Sequence, residues 1–125
     1  MIAGLDHLVI TTRRLDACIA FYAGVLGMRL ETFGAGRKAL RFGDQKFNLH
    51  DASTATDAYA AAPTPGSLDF CLLCDGPLDA VIATLQAKGV PIELGPVRRT
   101  GARFPIRSIY LRDPDGNLVE IAEPA

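Results

Sequence analysis

The sequence is short of almost every feature that sends a chain to a nucleic acid, a bilayer or an oxidising compartment. Neither sign of charge dominates: 13 basic residues stand against 14 acidic ones, a net charge of −1. No basic stripe and no basic run interleaved with aromatics offers a phosphate backbone a landing site, so no nucleic-acid partner is expected. The opening "MIAGLDHLVI" has neither the basic start nor the long apolar core of a secretion signal. No run approaches the roughly 20 apolar residues of a membrane-spanning helix. No membrane association is therefore expected, and a cytoplasmic location is. Cysteine is scarce and odd in number: Cys18, Cys71 and Cys74 suit small buried thiols in a reducing compartment better than a disulfide framework. Cys71 and Cys74 form a CxxC, but in an extended run positions i and i+3 point to opposite faces. No second CxxC completes a zinc site.

What is present is apolar and patterned. With 125 residues, 49% of them hydrophobic, the chain fits one domain able to bury a core without staples. "LDHLVITT" (5–12) is extended in character. "RRLDACIAFYAGVLG" (13–27) places Leu15, Cys18, Ile19, Tyr22 and Leu26 on one helical face, with Gly27 as the stop. Three extended runs follow, "MRLETF", "KALRF" and "KFNLH", separated by the turns "GAG" and "GDQ". Residues 53–66, rich in Ala, Thr and Pro, have no amphipathic period and read as a linker. After it the order recurs: strand "SLDFCLLCD", helix "GPLDAVIATLQAKG" with Pro77 near its first turn, then "VPIELGPV", "IRSIYLR" and "NLVEI".

The halves align. "LGMRLETF" matches "KGVPIELG" at an offset of 62 residues, and "GDQKFNLHD" matches "DGNLVEIAE" at 72, the extra ten falling largely in "RRTGARFP". Two copies of one βαβββ unit, over 4–52 and 67–123, imply an α+β fold with two sheets related by a pseudo-twofold axis. In a half-buried strand one face packs on the helix, so polar residues set among apolar ones mark the other face. His7 in the first strand, Asn48 and His50 in the fourth, Asp69 in the fifth and Glu120 in the last are those residues. Two imidazoles and two carboxylates suit a borderline divalent ion such as Zn, Ni, Mn or Fe, and the spacing does not choose among them.

These blocks, from "LDHLVITT" and "FYAGVLGM" through "ALRFGDQKFNLH", "PGSLDFCLL" and "GVPIELGPVRRTGA" to "SIYLRDPDGNLVEI", cover nearly the whole chain. They resemble the vicinal oxygen chelate superfamily, which includes glyoxalase I, fosfomycin-resistance proteins, extradiol dioxygenases and bleomycin-binding proteins. The nearest resemblance is to the glyoxalase domain-containing protein 5 subgroup. It implies paired βαβββ modules forming a U-shaped cavity, a homodimer, and a divalent metal bound through the first and last strands of each module. His7 falls on the first-strand histidine and Glu120 on the last-strand glutamate.

The other two ligand positions depart from the pattern. The fourth-strand position falls on Asn48, a poor metal donor, with His50 two residues on and sharing its face. The fifth falls on Asp69 where many relatives have histidine, if the halves register at 62; at 63, His7 equates with Phe70 and Asp69 leaves the site. These departures argue against glyoxalase I itself.

Each residue also has a plainer reading. His7 on its own is more often structural than ligating; "RDPDGN" reads as a turn aiming the last strand; Phe21, Tyr22 and Tyr110 read as core. Arg99, Arg103 and Arg107 lie in or beside the inserted loop, where they serve as solvated rim residues or as bidentate ligands for an anionic substrate. The leading expectation is a metal-dependent lyase, isomerase or dioxygenase-type enzyme on a small vicinally oxygenated substrate. Glu120 or His50 moves the proton, and Asn48 and the arginines hold the substrate. Its competitor is a metal-free sequestering protein of the bleomycin-resistance type, which Asn48 and Asp69 favour.

Overall fold

The computed structural model describes residues 1–54 and 57–125. The chain divides into two compact units, Met1–Ser67 and Leu68–Ala125. Of the expected linker, Ala55 and Thr56 lie outside the described residues.

The first unit runs β1 (His7–Thr12), α1 (Leu15–Ile19), a π-helical continuation (Ala20–Val25), β2 (Arg29–Phe33), β3 (Arg37–Phe42) and β4 (Gln45–Asp51). Its sheet has the order β1-β4-β3-β2, with β1 parallel to β4 and the other pairs antiparallel. The single helix expected over 13–27 is therefore a short α-turn that widens. Leu26 N–H reaches the Phe21 carbonyl at 3.0 Å, an i to i−5 bond. The wider turn lets consecutive Phe21 and Tyr22 both bury, at 7% and 0% exposure. Tyr22 meets Phe47 of β4 edge-on, ring centroids 5.8 Å apart, which fixes the sheet face carrying Ile10, Leu40 and Phe47 as the helix side.

The second unit repeats the plan: β5 (Asp69–Leu73), α2 (Leu78–Ala87), β6 (Leu94–Thr100), β7 (Pro105–Arg112) and β8 (Leu118–Pro124), in the order β5-β8-β7-β6. Glu123 of β8 accepts the otherwise orphaned Leu78 N–H at the start of α2, 2.7 Å. Arg107 of β7 clamps the same corner, donating to Glu123 at 3.2 Å and to Asp79 at 3.1 Å. The helix side here carries Phe70, Leu72, Ile109, Leu111, Val119 and Ile121.

Strand pairing also resolves the offset between the halves. Asp69 opens β5 as His7 opens β1. At 62, fully buried Ile10 corresponds to half-buried Leu72, whereas at 63 it would correspond to Leu73, 52% exposed. The pairs Val9 with Asn48 and Cys71 with Glu120 then correspond as well. One expectation fails at β6: the strand starts at Leu94 rather than Val90 and takes in Arg98, Arg99 and Thr100, so half of the supposed inserted loop is strand. Its entry bulges between Leu94 and Val97. Gly95, at φ +108°, lies so close to β7 that an added Cβ would come 2.5 Å from the Ser108 carbonyl.

Candidate functional site

Side-chain alternation puts Glu120 on the face of its sheet away from α2, with Cys71, Tyr110 and Ser108 from the neighbouring strands. Ser108 is fully buried, and its hydroxyl donates to Glu120 Oε2 at 2.6 Å. Cys71 is the in-register partner of Glu120 across the parallel pair, so its thiol lies beside that carboxylate, with the Leu72 carbonyl 4.0 Å from Sγ. Desolvation first, then the charge of Glu120, pushes the Cys71 thiol up to about 12, so it stays protonated. Tyr110 is the cross-strand partner of Glu120 on the other side, and its hydroxyl accepts from Arg99 Nε at 3.0 Å, with the guanidinium 5.6 Å from the ring centre. The carboxylate that breaks the apolar pattern of β8 is thus held by a buried serine, between a protonated thiol and a polarised phenol.

The turn before β8 sets this register. Asp113 and Asn117, 5% and 1% exposed, are bonded to each other at 2.7 Å, and Asp113 Oδ1 accepts the Asp115 and Asn117 N–H groups. Asn117 Oδ1 in turn accepts Leu68 N–H at 2.9 Å, pinning the start of β5 to the start of β8 and so Cys71 against Glu120.

In the first unit the face away from the helices carries His7, Val9, Asn48, His50, Ala39, Arg41, Arg29, Glu31 and Phe33. His7 Nδ1 lies 2.8 Å from Asp6 Oδ1, so it donates to that carboxylate. The His7 partnership holds the Asp6 carboxyl below its usual range. His50 Nε2 lies 2.9 Å from the Thr54 carbonyl and must carry the proton there. Asn48 is 7% exposed, and its Oδ1 is buried with no hydrogen-bond partner.

The expected ligands thus divide, with His7, Asn48 and His50 in the first unit and Asp69 and Glu120 in the second. Asp69 is exposed at the head of β5. Among the described residues no group of three or more His, Cys, Asp or Glu side chains is arranged to hold a metal ion. His7 and Glu120 do carry the hydrogen-bonded support typical of ligating groups, Asp6 and Ser108. His7, however, faces Lys46 across the strand pair with Arg41 next along the same row, positive charge that opposes a cation. Within either unit taken by itself, the described residues do not complete a donor set for a divalent ion.

The arginines separate. Arg99 joins the Tyr110 and Glu120 group; Arg103 lies in the turn before β7, 5.0 Å from the Phe104 ring centre; Arg107 points to the helix side and ties β7 to α2. Three participants escape a reading of pattern alone. Cys71 was expected to be buried and structural, yet it is exposed beside Glu120, and Cys74 is half-buried; only Cys18 is buried. Tyr110 was expected in the core but lies half-buried on the helix-free face. Ser108 carried no signal beyond being polar between apolar neighbours in "IRSIYLR".

Residues 4–121 match the family model described as Glyoxalase/Bleomycin resistance protein/Dioxygenase superfamily. The chain is 47% identical over 119 residues to Virulence protein STM3117 of Salmonella typhimurium, covering 95% of this chain and 83% of that protein. The crystal structure of that protein superposes with a TM-score of 0.97 at 46% identity, covering 100% of this chain and 99% of the other. Glyoxalase domain-containing protein RDO1 of Mycosarcoma maydis is 47% identical over 121 residues, 97% of this chain and 68% of its own length. The V. cholerae integron cassette protein VCH_CASS1 superposes with a TM-score of 0.97 at 44% identity, covering 100% of this chain and 98% of that one. An α+β chain of two four-stranded sheets in matching order, aligned with these relatives over nearly all its length, belongs to the Glyoxalase/Bleomycin resistance protein/Dioxygenase superfamily.

Proposed function

We propose that this protein is an enzyme of the lyase or isomerase kind that moves a proton on a small vicinally oxygenated molecule, with Glu120 as the proton-transferring group. The observation that carries the reading is the fixing of Glu120: a carboxylate on the sheet face the helix leaves uncovered is aimed by the hydroxyl of a fully buried serine, with the Cys71 thiol as its in-register neighbour. A carboxylate needed only for solubility on that face has no use for a buried serine that fixes its direction. In the proposed chemistry Glu120 takes the proton from carbon beside a carbonyl. The Tyr110 hydroxyl, polarised by Arg99, donates to the oxygen on which charge develops.

Two further readings each rest on an observation. The support given to His7 by Asp6 and to Glu120 by Ser108 favours a bound divalent ion, Zn, Ni, Mn or Fe, which when present would supply Lewis-acid stabilisation of paired substrate oxygens. The orphaned Asn48 acceptor favours a ligand-sequestering protein that does no chemistry. A homodimer and a cytoplasmic location belong to the same proposal. Among the described residues no helix is long and apolar enough to cross a membrane.

Proton exchange separates the three. Hydroxyacetone and dihydroxyacetone are incubated in D2O with the protein as purified and after loading with each ion, and C–H loss is followed by NMR. Exchange without added metal supports the leading reading, exchange only after loading supports the metal enzyme, and ligand binding with no exchange in any form overturns both in favour of sequestration.

A further inference from the structure

On the helix-free face of the first sheet one cross-strand row reads His7, Lys46, Arg41, Arg29 through β1, β4, β3 and β2. Three cations lie side by side where polar neutrals would have sufficed for solubility. Their carboxylates are few. Glu31, one row on, accepts from Arg41 at 2.8 Å, and Asp6 is taken by His7. No carboxylate lies within ion-pair distance of Arg29 or Lys46 among the described residues. Lys46 instead rests its ammonium 4.2 Å from the centre of the Phe33 ring. Since β3 separates their strands, that contact passes over Ala39, which is fully buried on this face. The next row holds Val9, Asn48, Ala39 and Glu31, and it is here that Asn48 Oδ1 is buried without a partner.

An unpaired buried acceptor destabilises the fold, and a leucine of similar volume would avoid that cost. The amide oxygen wants a donor, and the cations two residues along the strand, about 7 Å away, want an anion. We infer that this face is a binding site for a small hydroxylated anion, a phosphate ester or carboxylate whose charged group lies on Arg29 and Lys46 and whose hydroxyl donates to Asn48 Oδ1. Lys46 is the movable part: its flexible stem leaves the Phe33 ring for the stronger partner, since a cation–π contact at a partly exposed site is weak beside a charge-assisted hydrogen bond to an anion. Arg41 stays fixed by its two bonds to Glu31 and frames the site. This inference stands on the first unit alone and does not need the chemistry proposed for Glu120.

Its test is a ladder of probes titrated into the full chain by NMR chemical-shift mapping. Glycerol 3-phosphate is compared with propyl phosphate, which lacks the hydroxyls, and with glycerol, which lacks the charge. 4-Hydroxybutyrate is compared in the same way with butyrate and 1,4-butanediol, so that the two arms tell a phosphate site from a carboxylate site. In at least one arm the bifunctional probe should bind at least tenfold tighter than either truncated one, with shifts centred on Lys46 and Asn48. Asn48→Leu should erase the difference between glycerol 3-phosphate and propyl phosphate without lowering stability, and the pair Arg29→Gln, Lys46→Gln should weaken every anion at least tenfold. Equal affinity for all anions, no binding in either arm, or hydroxyl discrimination that survives Asn48→Leu overturns the inference. If Asn48→Leu does not fold, the wild-type ladder decides alone. Glu120→Gln should leave the ladder unchanged, so loss of exchange chemistry and loss of this site are read separately.

Discussion

Glu120, Ser108 and Cys71 make the residue-scale case, because each explains the state of another. Ser108→Ala removes a hydrogen bond to a charged acceptor from a buried position, a loss of about 1.5–3 kcal/mol in chemical denaturation. The Cys71 thiol, held near 12, should react with iodoacetamide at pH 8 two to three orders of magnitude more slowly than a free cysteine, because the thiolate is the nucleophile. Glu120→Gln removes the charge and should speed it. The sign of the linkage follows. A proton bound more tightly in the folded chain stabilises it fully below about pH 9 and ceases to do so as pH rises toward 12. Thermal stability should therefore fall over that window in wild type and fall less in Cys71→Ser. His7, Asn48, His50, Asp69 and Glu120 were legible as polar residues on the uncovered faces because alternation in a strand depends only on sequence. Their hydrogen-bond partners were not. Ser108 and Cys71 approach Glu120 across strands whose register no local signal states.

At the scale of the element, what sets that register is the turn "RDPDGN". Sequence rules recognise the turn, since Asp and Gly tolerate its backbone, but they do not reveal that Asn117 reaches 49 residues back to the Leu68 N–H. Asn117→Ala removes that bond and the one to Asp113 from a site 1% exposed. It should lower stability by about 2–4 kcal/mol and, by loosening β5 against β8, raise Cys71 alkylation well beyond the change given by Ser108→Ala. The reach of β6 was misjudged for a related reason. Arg98, Arg99 and Thr100 carry no apolar alternation, and the strand forms because β7 offers a ladder after Gly95 brings the backbone close. Gly95→Ala should unfold or strongly destabilise the chain, since its Cβ would meet backbone rather than a movable side chain. The helix of the first unit was legible as a helix, and its π-helical half was not, because the choice depends on packing Phe21 and Tyr22 together.

For the whole molecule, duplication accounts for most of what the sequence made readable. Two units with the same βαβββ succession were expected from offsets of 62 and 72 alone; their shared strand order, with one parallel and two antiparallel pairings each, comes from the structure. Duplication preserves the scaffold more faithfully than the site: Asn48 answers to Glu120, and His7 to Asp69. The first unit presents cations and an unpaired amide, the second a fixed carboxylate and a phenol. A homodimer is the expected assembly, and light scattering coupled to gel filtration should give twice the chain mass; a monomer at micromolar concentration would remove it. The most direct check of the account is deuterium incorporation into dihydroxyacetone followed by NMR, wild type against Glu120→Gln. Wild type should exchange above the buffer rate, and Glu120→Gln should fall by at least about a hundredfold while its melting temperature stays within a few degrees. Equal exchange by the two proteins would contradict the role given to Glu120.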